Sequence, residues 1–291
     1  MKTSNLLPIL FWAAAPAVWA DDAALKALAA APATVAAPVS AVDGWTQSLL
    51  ADLSLNQASF DNWKAGGTNY VSWQGDLHGK LERDNPGWNW LNTLHLAYGL
   101  TYLDGQGTRK SADTMDFSSV LAWKAAPQWQ PYVSLAFLSQ FDTGFDYSTP
   151  SPTATSGFMD PGYLTESLGV KYAPDPVFDT RLGAAVREAF ADRFAAAYSD
   201  GKGVLMETGL NSVSDLDLKL STDSTLLSKL DLFWNGQGLD RTVADWQNGL
   251  TVHLGKIVAL TAEYDLRYDP AVYLGWQVKE TLGIGVDYSL L

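Results

Sequence analysis

Apolar and polar residues alternate along most of the chain from Trp45 onward, with interruptions rich in Gly, Pro, Asn and Asp. In the segment 71–81, for example, Val71, Trp73 and Leu77 share one side of an extended chain and polar residues take the other. Because successive side chains of a strand point to opposite faces, this period of two predicts β-strands. The alternation recurs in twelve segments, which predicts about twelve strands: 47–60, 71–81, 88–102, 114–124, 130–142, 163–172, 178–190, 204–221, 225–235, 243–255, 258–268 and 274–290.

The connections between these segments favour a membrane barrel over a soluble sandwich. Short connections alternate with longer ones, which is typical of outer-membrane barrels with turns at one end and loops at the other. Greek-key sandwiches do not require that rhythm. The short ones are 84–87, 125–128, 174–177, 222–224 and 255–257, and the longer ones include 104–111, 143–162, 191–203 and 269–273.

Aromatic residues point to the same architecture. The chain has twelve Trp and twelve Tyr, many of them near predicted strand ends, where barrels carry aromatic girdles at the membrane interfaces. The alternative is that these rings fill the core of a soluble β protein. We predict an all-β fold, a closed antiparallel up-and-down transmembrane β-barrel of about twelve strands.

The amino-terminal residues have the three parts of a secretory signal peptide. Lys2 precedes the apolar stretch 6–18, and Ala20 stands directly before Asp21. This stretch is too short for a membrane-spanning helix, which needs about 20 apolar residues. We predict a signal peptide over residues 1–20, an Ala- and Pro-rich periplasmic tether over 21–44 and the barrel over 45–291, located in the cell outer membrane.

Charge and cysteine content narrow the function classes. The chain carries 19 basic and 32 acidic residues, and a surface of this charge repels nucleic acid. It has no cysteine, which excludes disulfides and a lipid-modified cysteine. We expect the lipid bilayer with its lipopolysaccharide, the barrel-insertion machinery and small solutes as partners, and no cofactor. Alternation over 282–290 resembles the terminal strand that the insertion machinery reads.

With the apolar face outward, all three histidines point into the lumen. A four-residue turn after Arg83 would place Asp76 opposite His95 and give a carboxylate-oriented imidazole. A two-residue turn at 86–87 would instead pair His78 with His95, and two neighbouring imidazoles could bind one metal ion. The more ordinary interpretation is polar packing inside a barrel, and we predict neither a metal nor a catalytic residue here.

Other charged positions complete the predicted lumen. The strand spacing places Asp217 opposite Lys229 and Asp245 opposite Arg267, and His253 faces the same way. Two acidic residues do not fit, because Glu166 and Glu280 fall in phase with the apolar face. Either they lie beyond the hydrocarbon band, or a local bulge shifts the phase.

A second group of candidates lies at the rim and in the outer loops. Gly66 and Gly67 predict a tight bend or bulge with Trp63 folded onto the rim, and the alternative is that Trp63 stacks on a ligand such as a sugar. Asp113, with Asp116 and Lys110, could mark acid chemistry or calcium binding, although carboxylates at a strand start are more often simply solvated. The loop 143–162 is our first choice for gating or recognition, through Phe145, Tyr147 and Phe158.

Several short motifs, in their order along the chain, resemble a family of uncharacterised bacterial proteins of outer-membrane type, known as a domain of unknown function. The resemblance implies a β-barrel architecture and an outer-membrane location, and it identifies no catalytic residue in this chain. The motifs are Asn62-Trp63 with Gly66-Gly67, Trp90, Asn92 and Tyr98-Gly99, Lys110 with Asp113, Gln140-Phe141 with Gly144, Pro161-Gly162-Tyr163 with Ser167-Leu168-Gly169, and 229–233.

We expect a narrow or gated pore for small solutes rather than an enzyme. The sequence has no Gly-x-Ser-x-Gly elbow, His-Glu-x-x-His pair or phosphate-binding Gly-Lys-Ser/Thr loop. Barrel phospholipases carry a Ser two residues after a His, whereas Lys80, Ala97 and Gly255 occupy that spacing here. The alternatives are a non-conducting barrel with a binding or structural role and, least favoured, an enzyme that uses Asp76 and His95.

Overall fold

The computed structural model describes residues 40–42, 44–61, 64, 67–236, 238, 242–254, 258–270 and 273–289. The predicted signal peptide and most of the predicted tether lie outside these residues. Within them, no helix is long and apolar enough to cross a membrane. The elements are β1 Ser40–Val42, β2 Trp45–Ala58, β3 Tyr70–Asp84, β4 Trp88–Leu103, β5 Gly107–Trp123, β6 Trp129–Ser139, β7 Gly144–Asp146, β8 Thr153–Ser156, β9 Gly162–Tyr172, β10 Phe178–Phe190, α1 Ala195–Tyr198, β11 Val204–Lys219, β12 Ser224–Trp234, β13 Val243–His253, β14 Val258–Asp269 and β15 Tyr273–Ser289.

Thirteen of the fifteen strands form one antiparallel sheet in which strands that follow each other along the chain are neighbours. The remaining two, β7 and β8, form a small hairpin between β6 and β9, and β6 pairs directly with β9. β2 has two long neighbours, β15 on one side and β3 on the other. The strand pairing therefore returns to β2, although the seam between β15 and β2 contains four residue pairs, from Val286↔Leu53 to Ser289↔Leu50.

The predicted all-β, up-and-down antiparallel fold is confirmed, but the strand count exceeds the prediction of about twelve. Three short strands account for the excess. β1 pairs with the start of β2, so the predicted tether ends in a strand rather than in unpaired chain. β7 and β8 give secondary structure to the predicted loop 143–162. The predicted loop 104–111 is instead a tight turn, because β5 already begins at Gly107.

The two faces of the large sheet differ in chemistry and in exposure. On one face, apolar side chains such as Leu168 and Leu182 are exposed, at 62% and 56%. On the other face, polar and charged side chains are buried, as Asp76 and Arg187 illustrate. A sheet that buries its polar face has curved so that this face is turned inward, and we call it the inner face.

Glycines leave space on the inner face where Tyr132 packs. Gly169 and Gly183 are directly opposite each other on β9 and β10, and Tyr132 of β6 is the register partner of Gly169. A Cβ at Gly183 would lie 2.6 Å from the Leu168 carbonyl oxygen and 2.7 Å from the Tyr132 hydroxyl. The Tyr132 side chain is fully buried, and its hydroxyl accepts a hydrogen bond from Ser167 at 3.2 Å. These glycines therefore create the space that the ring fills.

Candidate functional site

The turn between β3 and β4 decides which interior residues meet. Asn85 Oδ1 accepts hydrogen bonds from the N–H groups of Gly87 and Trp88, at 2.9 and 3.0 Å, and this Asx turn tightens the hairpin. Asp84 consequently pairs with Asn89, and His78 pairs with His95. Of the two registers left open by the sequence, the structure has the one with the two-residue turn.

The three side chains Asp76, His78 and His95 form a cluster on the inner face. The imidazole rings of His78 and His95 are stacked, with centroids 4.3 Å apart and planes inclined by 12°. Asp76 reaches diagonally across the strands, and its Oδ1 lies 3.2 Å from His95 Nε2. Gln74 Nε2 donates to the other carboxylate oxygen at 2.9 Å. The carboxylate–imidazole contact and the histidine pair, which the sequence offered as alternatives, therefore occur together.

The other predicted cross-strand pairs have mixed outcomes. Lys229 pairs with Asp215, and Asp217 pairs with Leu227, so the predicted Asp217–Lys229 partnership is wrong. The reason is the position of the three-residue turn, which lies at 221–223 and not at the predicted 222–224, so the register moves by one position on each strand. Asp217 is instead exposed near this turn.

Two further interior candidates occupy β13 and β14. Asp245 and Arg267 are opposite each other, as predicted, but the ion-pair partner of Arg267 is Asp269, at 3.7 Å. His253 is the last residue of β13 and lies half-buried, two residues after the buried Thr251 of the same face.

An ion-pair network crosses the interior near the end of the sheet that carries the longer loops. Arg187 Nη2 of β10 lies 3.6 Å from Asp269 Oδ2 of β14, although β11, β12 and β13 separate these strands. Glu207 of β11 lies 3.6 Å from Arg187 Nη1, and Arg267 shares Asp269. The Asp269 side chain is 1% exposed. This network is a barrier of charged side chains across the interior.

Aromatic rings surround the Arg187 guanidinium. Its Cζ lies 4.6 Å from the ring centre of Tyr163 and 5.9 Å from that of Phe233, distances at which a cation is attracted to the ring face. Tyr198 of α1 lies close enough to Arg267 and Asp269 to interact with them electrostatically, and burial raises the pKa of its phenol. A loop residue therefore joins the charged barrier to the outer loops.

Sequence reasoning missed this barrier. Pairing rules connect neighbouring strands only, and Asp269 was assigned to the connection 269–273 because the predicted strand 258–268 ends before it. The available signal was the density of charged residues at the same ends of β10, β11 and β14, where Arg187, Glu207 and Asp269 lie.

The loop between β6 and β9 is tied to the sheet through Asp113. The Asp113 carboxylate accepts hydrogen bonds from the N–H groups of Phe141 and Asp142, at 2.6 and 2.9 Å, and from Lys110 at 2.5 Å. The Tyr98 hydroxyl donates to Asp142 at 2.8 Å, and this bond, with one from Thr143 N–H, holds the pKa of Asp142 below its usual value. Asp113 is thus a loop anchor.

The predicted grouping of Asp113 with Asp116 is wrong. The two residues are three positions apart on one strand, so their side chains lie on opposite faces. Asp116 is the register partner of His95, on the inner face, and Asp113 is the partner of Tyr98. The Lys110 ammonium group forms an ion pair with the Asp113 carboxylate, which a calcium ion would need as a ligand.

The remaining rim candidates fall in the structured outer loops. Phe145 and Tyr147 have ring centres 6.1 Å apart, and Arg109 Cζ lies 4.3 Å above the ring of Tyr147. Phe158 is 65% exposed. Gly67 has a φ of +140°, and a Cβ there would lie 2.8 Å from the ring of Phe60, which agrees with the expected tight bend. Trp63 and Gly66 lie outside the described residues.

Two outer loops pack against each other. Asp160 accepts hydrogen bonds from the N–H groups of Asp192 and Arg193, at 3.2 and 2.9 Å. The Tyr198 hydroxyl donates to the Thr155 carbonyl oxygen at 3.1 Å. The loops 140–161 and 191–203 are therefore joined next to the Arg187–Asp269 network.

Glu166 and Glu280 do lie on the exposed, apolar face. Glu166 is exposed between its register partners Leu135 and Val186, and Glu280 is exposed opposite Tyr264. The register runs through both positions without a bulge, so a local shift of phase is not the explanation. Glu166 is four residues from the long-loop end of β9.

The sequence profile of a family described as a protein of unknown function (DUF3078) matches residues 55–145, less than half of the chain. The resemblance predicted from the motifs is confirmed. The motifs at 161–169 and 229–233 lie outside the matched segment. A comparison with curated proteins finds no match.

Several solved structures are similar to the chain. One is an outer membrane channel from Pseudomonas putida F1, with 9% identity and a TM-score of 0.41 over 86% of this chain and 96% of that chain. Another is the translocator domain of the autotransporter NalP from Neisseria meningitidis, with 12% identity, a TM-score of 0.35 and coverage of 85% and 89%. The Ralstonia pickettii toluene transporter TbuX has 9% identity, a TM-score of 0.28 and coverage of 86% and 89%. At these scores the likenesses assign no residue role or activity to this chain.

Proposed function

We propose that this protein is a closed twelve-stranded β-barrel of the outer membrane that acts as a narrow, gated conduit for small polar solutes and not as an enzyme. The twelve long strands have 11 to 17 residues, and a tilted transmembrane strand needs about 9–11. Their exposed apolar face suits lipid, and closure through β2 would leave no backbone edge unpaired in the bilayer. The lipid bilayer with its lipopolysaccharide and the barrel-insertion machinery are the corresponding partners.

The observation that carries the gating part of the proposal is the Arg187–Asp269 contact across the lumen. A barrel of twelve strands is wider than one of eight strands, whose interior is filled by its own side chains. It is narrower than an open porin. In such a lumen, one ion pair between distant strands and its aromatic neighbours can block passage. The interlocked loops 140–161 and 191–203 lie beside this pair, so their movement and the ion pair would be linked.

The second candidate is a non-conducting barrel that is sealed permanently by the same network. The burial of Asp269, whose side chain is 1% exposed, favours this second candidate. Free energy is needed to separate a buried carboxylate from the two arginines that contact it. The two candidates differ in whether the wild-type chain, with the network intact, conducts ions.

Planar-bilayer recordings of the purified, folded protein separate them. We expect the wild-type chain to show small, discrete current steps and Arg187→Ala to show larger steps or a higher open fraction. The matched control is Arg181→Ala, because Arg181 pairs with Asp215 of the adjacent strand, along the wall. Silence of the wild type, with insertion into the bilayer demonstrated, would contradict the conduit. Current from Arg187→Ala alone would then favour the barrel sealed by the network, and silence of both would show that the network is not the seal.

A further inference from the structure

We propose that Asp76, His78 and His95 form a binding site for a divalent transition-metal ion of the zinc type on the inner face of the barrel. The proposal goes beyond the conduit function, since the site would bind the ion whether or not the lumen conducts. It rests on the spacing of the three potential ligands, on an unsatisfied imidazole nitrogen and on the surrounding groups.

The spacing of the ligand atoms is close to that around one metal ion. The potential ligand atoms of the three residues all lie within 4.8 Å of one another. The Asp76 Oδ1–His95 Nε2 distance of 3.2 Å is close to the separation of two ligands that each lie about 2.0–2.2 Å from a shared zinc ion. Three protein ligands leave a further position for water.

The ordinary explanation of the cluster leaves one group unexplained. A hydrogen-bonded pair of Asp76 and His95 accounts for these two side chains alone. His78 Nε2 is shielded from solvent and has no hydrogen-bond partner in the part of the chain that the structure describes. A buried polar atom without a partner is costly, and a metal ion would satisfy it together with the neighbouring imidazole.

The surroundings hold the ligands in place and attract a cation. Gln74 donates to the second oxygen of Asp76, as outer-shell groups at metal sites orient a ligating carboxylate. Glu263 and Asp265 of β14 interact electrostatically with His95 from across the interior, and Asp116 is the register partner of His95. Two imidazoles and one carboxylate suit Zn²⁺, Cu²⁺ or Ni²⁺ better than Ca²⁺ or Mg²⁺, which prefer oxygen ligands.

Calorimetric titration of the full-length folded protein in detergent with Zn²⁺, at neutral pH, tests the site. We expect about one tight site per chain, as for a structural or catalytic zinc centre. His78→Ala and His95→Ala should each weaken binding by more than about 100-fold, and Gln74→Ala by about tenfold. His253→Ala is the matched control, because His253 is the third histidine of the chain and lies outside the cluster. It should keep the wild-type affinity.

Cu²⁺ electron paramagnetic resonance provides a readout that does not depend on affinity, since nitrogen hyperfine coupling from two imidazoles should fall to that from one in His78→Ala. Far-UV circular dichroism identifies variants that have lost their β-sheet structure. If a histidine variant does not fold, Asp76→Asn takes its place in the binding experiment and should weaken binding in the same way. Absence of binding by the wild type would overturn the proposal, as would equal loss in His253→Ala or binding that persists in the double variant His78→Ala/His95→Ala.

Discussion

The side chains of Arg187 and Asp269 meet at 3.6 Å although three strands separate their own strands in the sheet. Contacts of this kind can form only across the concave side of a curved sheet. The pair therefore links two distant strands and places opposite charges across the concave side of the sheet.

Replacement of Asp269 by Asn should lower the free energy of unfolding of the folded protein in detergent. The change removes the one charge that both Arg187 and Arg267 contact in the interior. Loss of one partner of a buried pair costs about 3–5 kcal/mol, and we expect the lower end because Glu207 still pairs with Arg187.

Guanidinium unfolding followed by intrinsic fluorescence measures this change. The control is Asp192→Asn, at an exposed loop position. An Asp269→Asn variant as stable as the control would show that the pair does not hold the walls together.

A methyl group at Gly183 should destabilise the barrel. The new Cβ would lie 2.6 Å from the Leu168 carbonyl oxygen, which is backbone and cannot rotate away. Overpacking of this kind costs about 1–3 kcal/mol. Gly249→Ala is the matched control, since a Cβ at Gly249 meets nothing within 4 Å. The same unfolding experiment should separate the two variants, and equal midpoints would mean that the sheet relaxes freely at Gly183.

Removal of the Asp113 carboxylate should release the loop between β6 and β9. Asp113→Ala leaves the N–H groups of Phe141 and Asp142 without their acceptor. The first bond is part-buried and the second exposed, so the total cost should lie below the about 1–3 kcal/mol of a fully buried donor. Limited proteolysis should then cut within residues 143–161 faster than in the wild type. Asp146→Ala, whose carboxylate accepts hydrogen bonds from Ser148 of the same loop, is the control. An unchanged cleavage rate in Asp113→Ala would contradict the anchoring role.

Acid should loosen the same loop through Asp142. Its pKa in the folded protein is lower than the usual 3.8, with the Tyr98 hydroxyl as the main cause. A carboxyl group with a lowered folded pKa stabilises the structure above its unfolded pKa, and this contribution disappears as pH falls through the folded pKa. Pepsin digestion of the loop should therefore accelerate between about pH 5 and pH 2. In Asp142→Asn the acceleration should be smaller, and an identical pH profile would exclude Asp142 as the group responsible.

The fold was predictable from the sequence because alternation and turn composition act locally. The segment 178–190, for instance, coincides with β10, and the predicted 243–255 contains β13. The short strands escaped prediction since three- and four-residue strands such as β7 and β8 carry too little alternation to be recognised.

The candidate site was predictable only where it depends on one hairpin. His78 and His95 were recognised as partners for one of two turn lengths, and the Asx turn at Asn85 selects that length. The position of Asp269 depends on the curvature of the whole sheet, which no local pattern specifies. The error at Asp217 has a more local origin, because a three-residue turn that begins one residue earlier moves the register by one position on each strand.

The most direct measurement is spin-label accessibility on single-cysteine variants in phospholipid vesicles, for which the cysteine-free chain is a ready background. Labels at Leu168→Cys and Leu182→Cys, on the exposed apolar face, should collide with oxygen dissolved in the lipid and be shielded from a water-soluble nickel relaxant. A label at Ser151→Cys, in an exposed loop position, should show the reverse. If the labels at positions 168 and 182 were as accessible to the nickel reagent as the loop label, the exposed apolar face would not lie in lipid and the transmembrane barrel would be refuted.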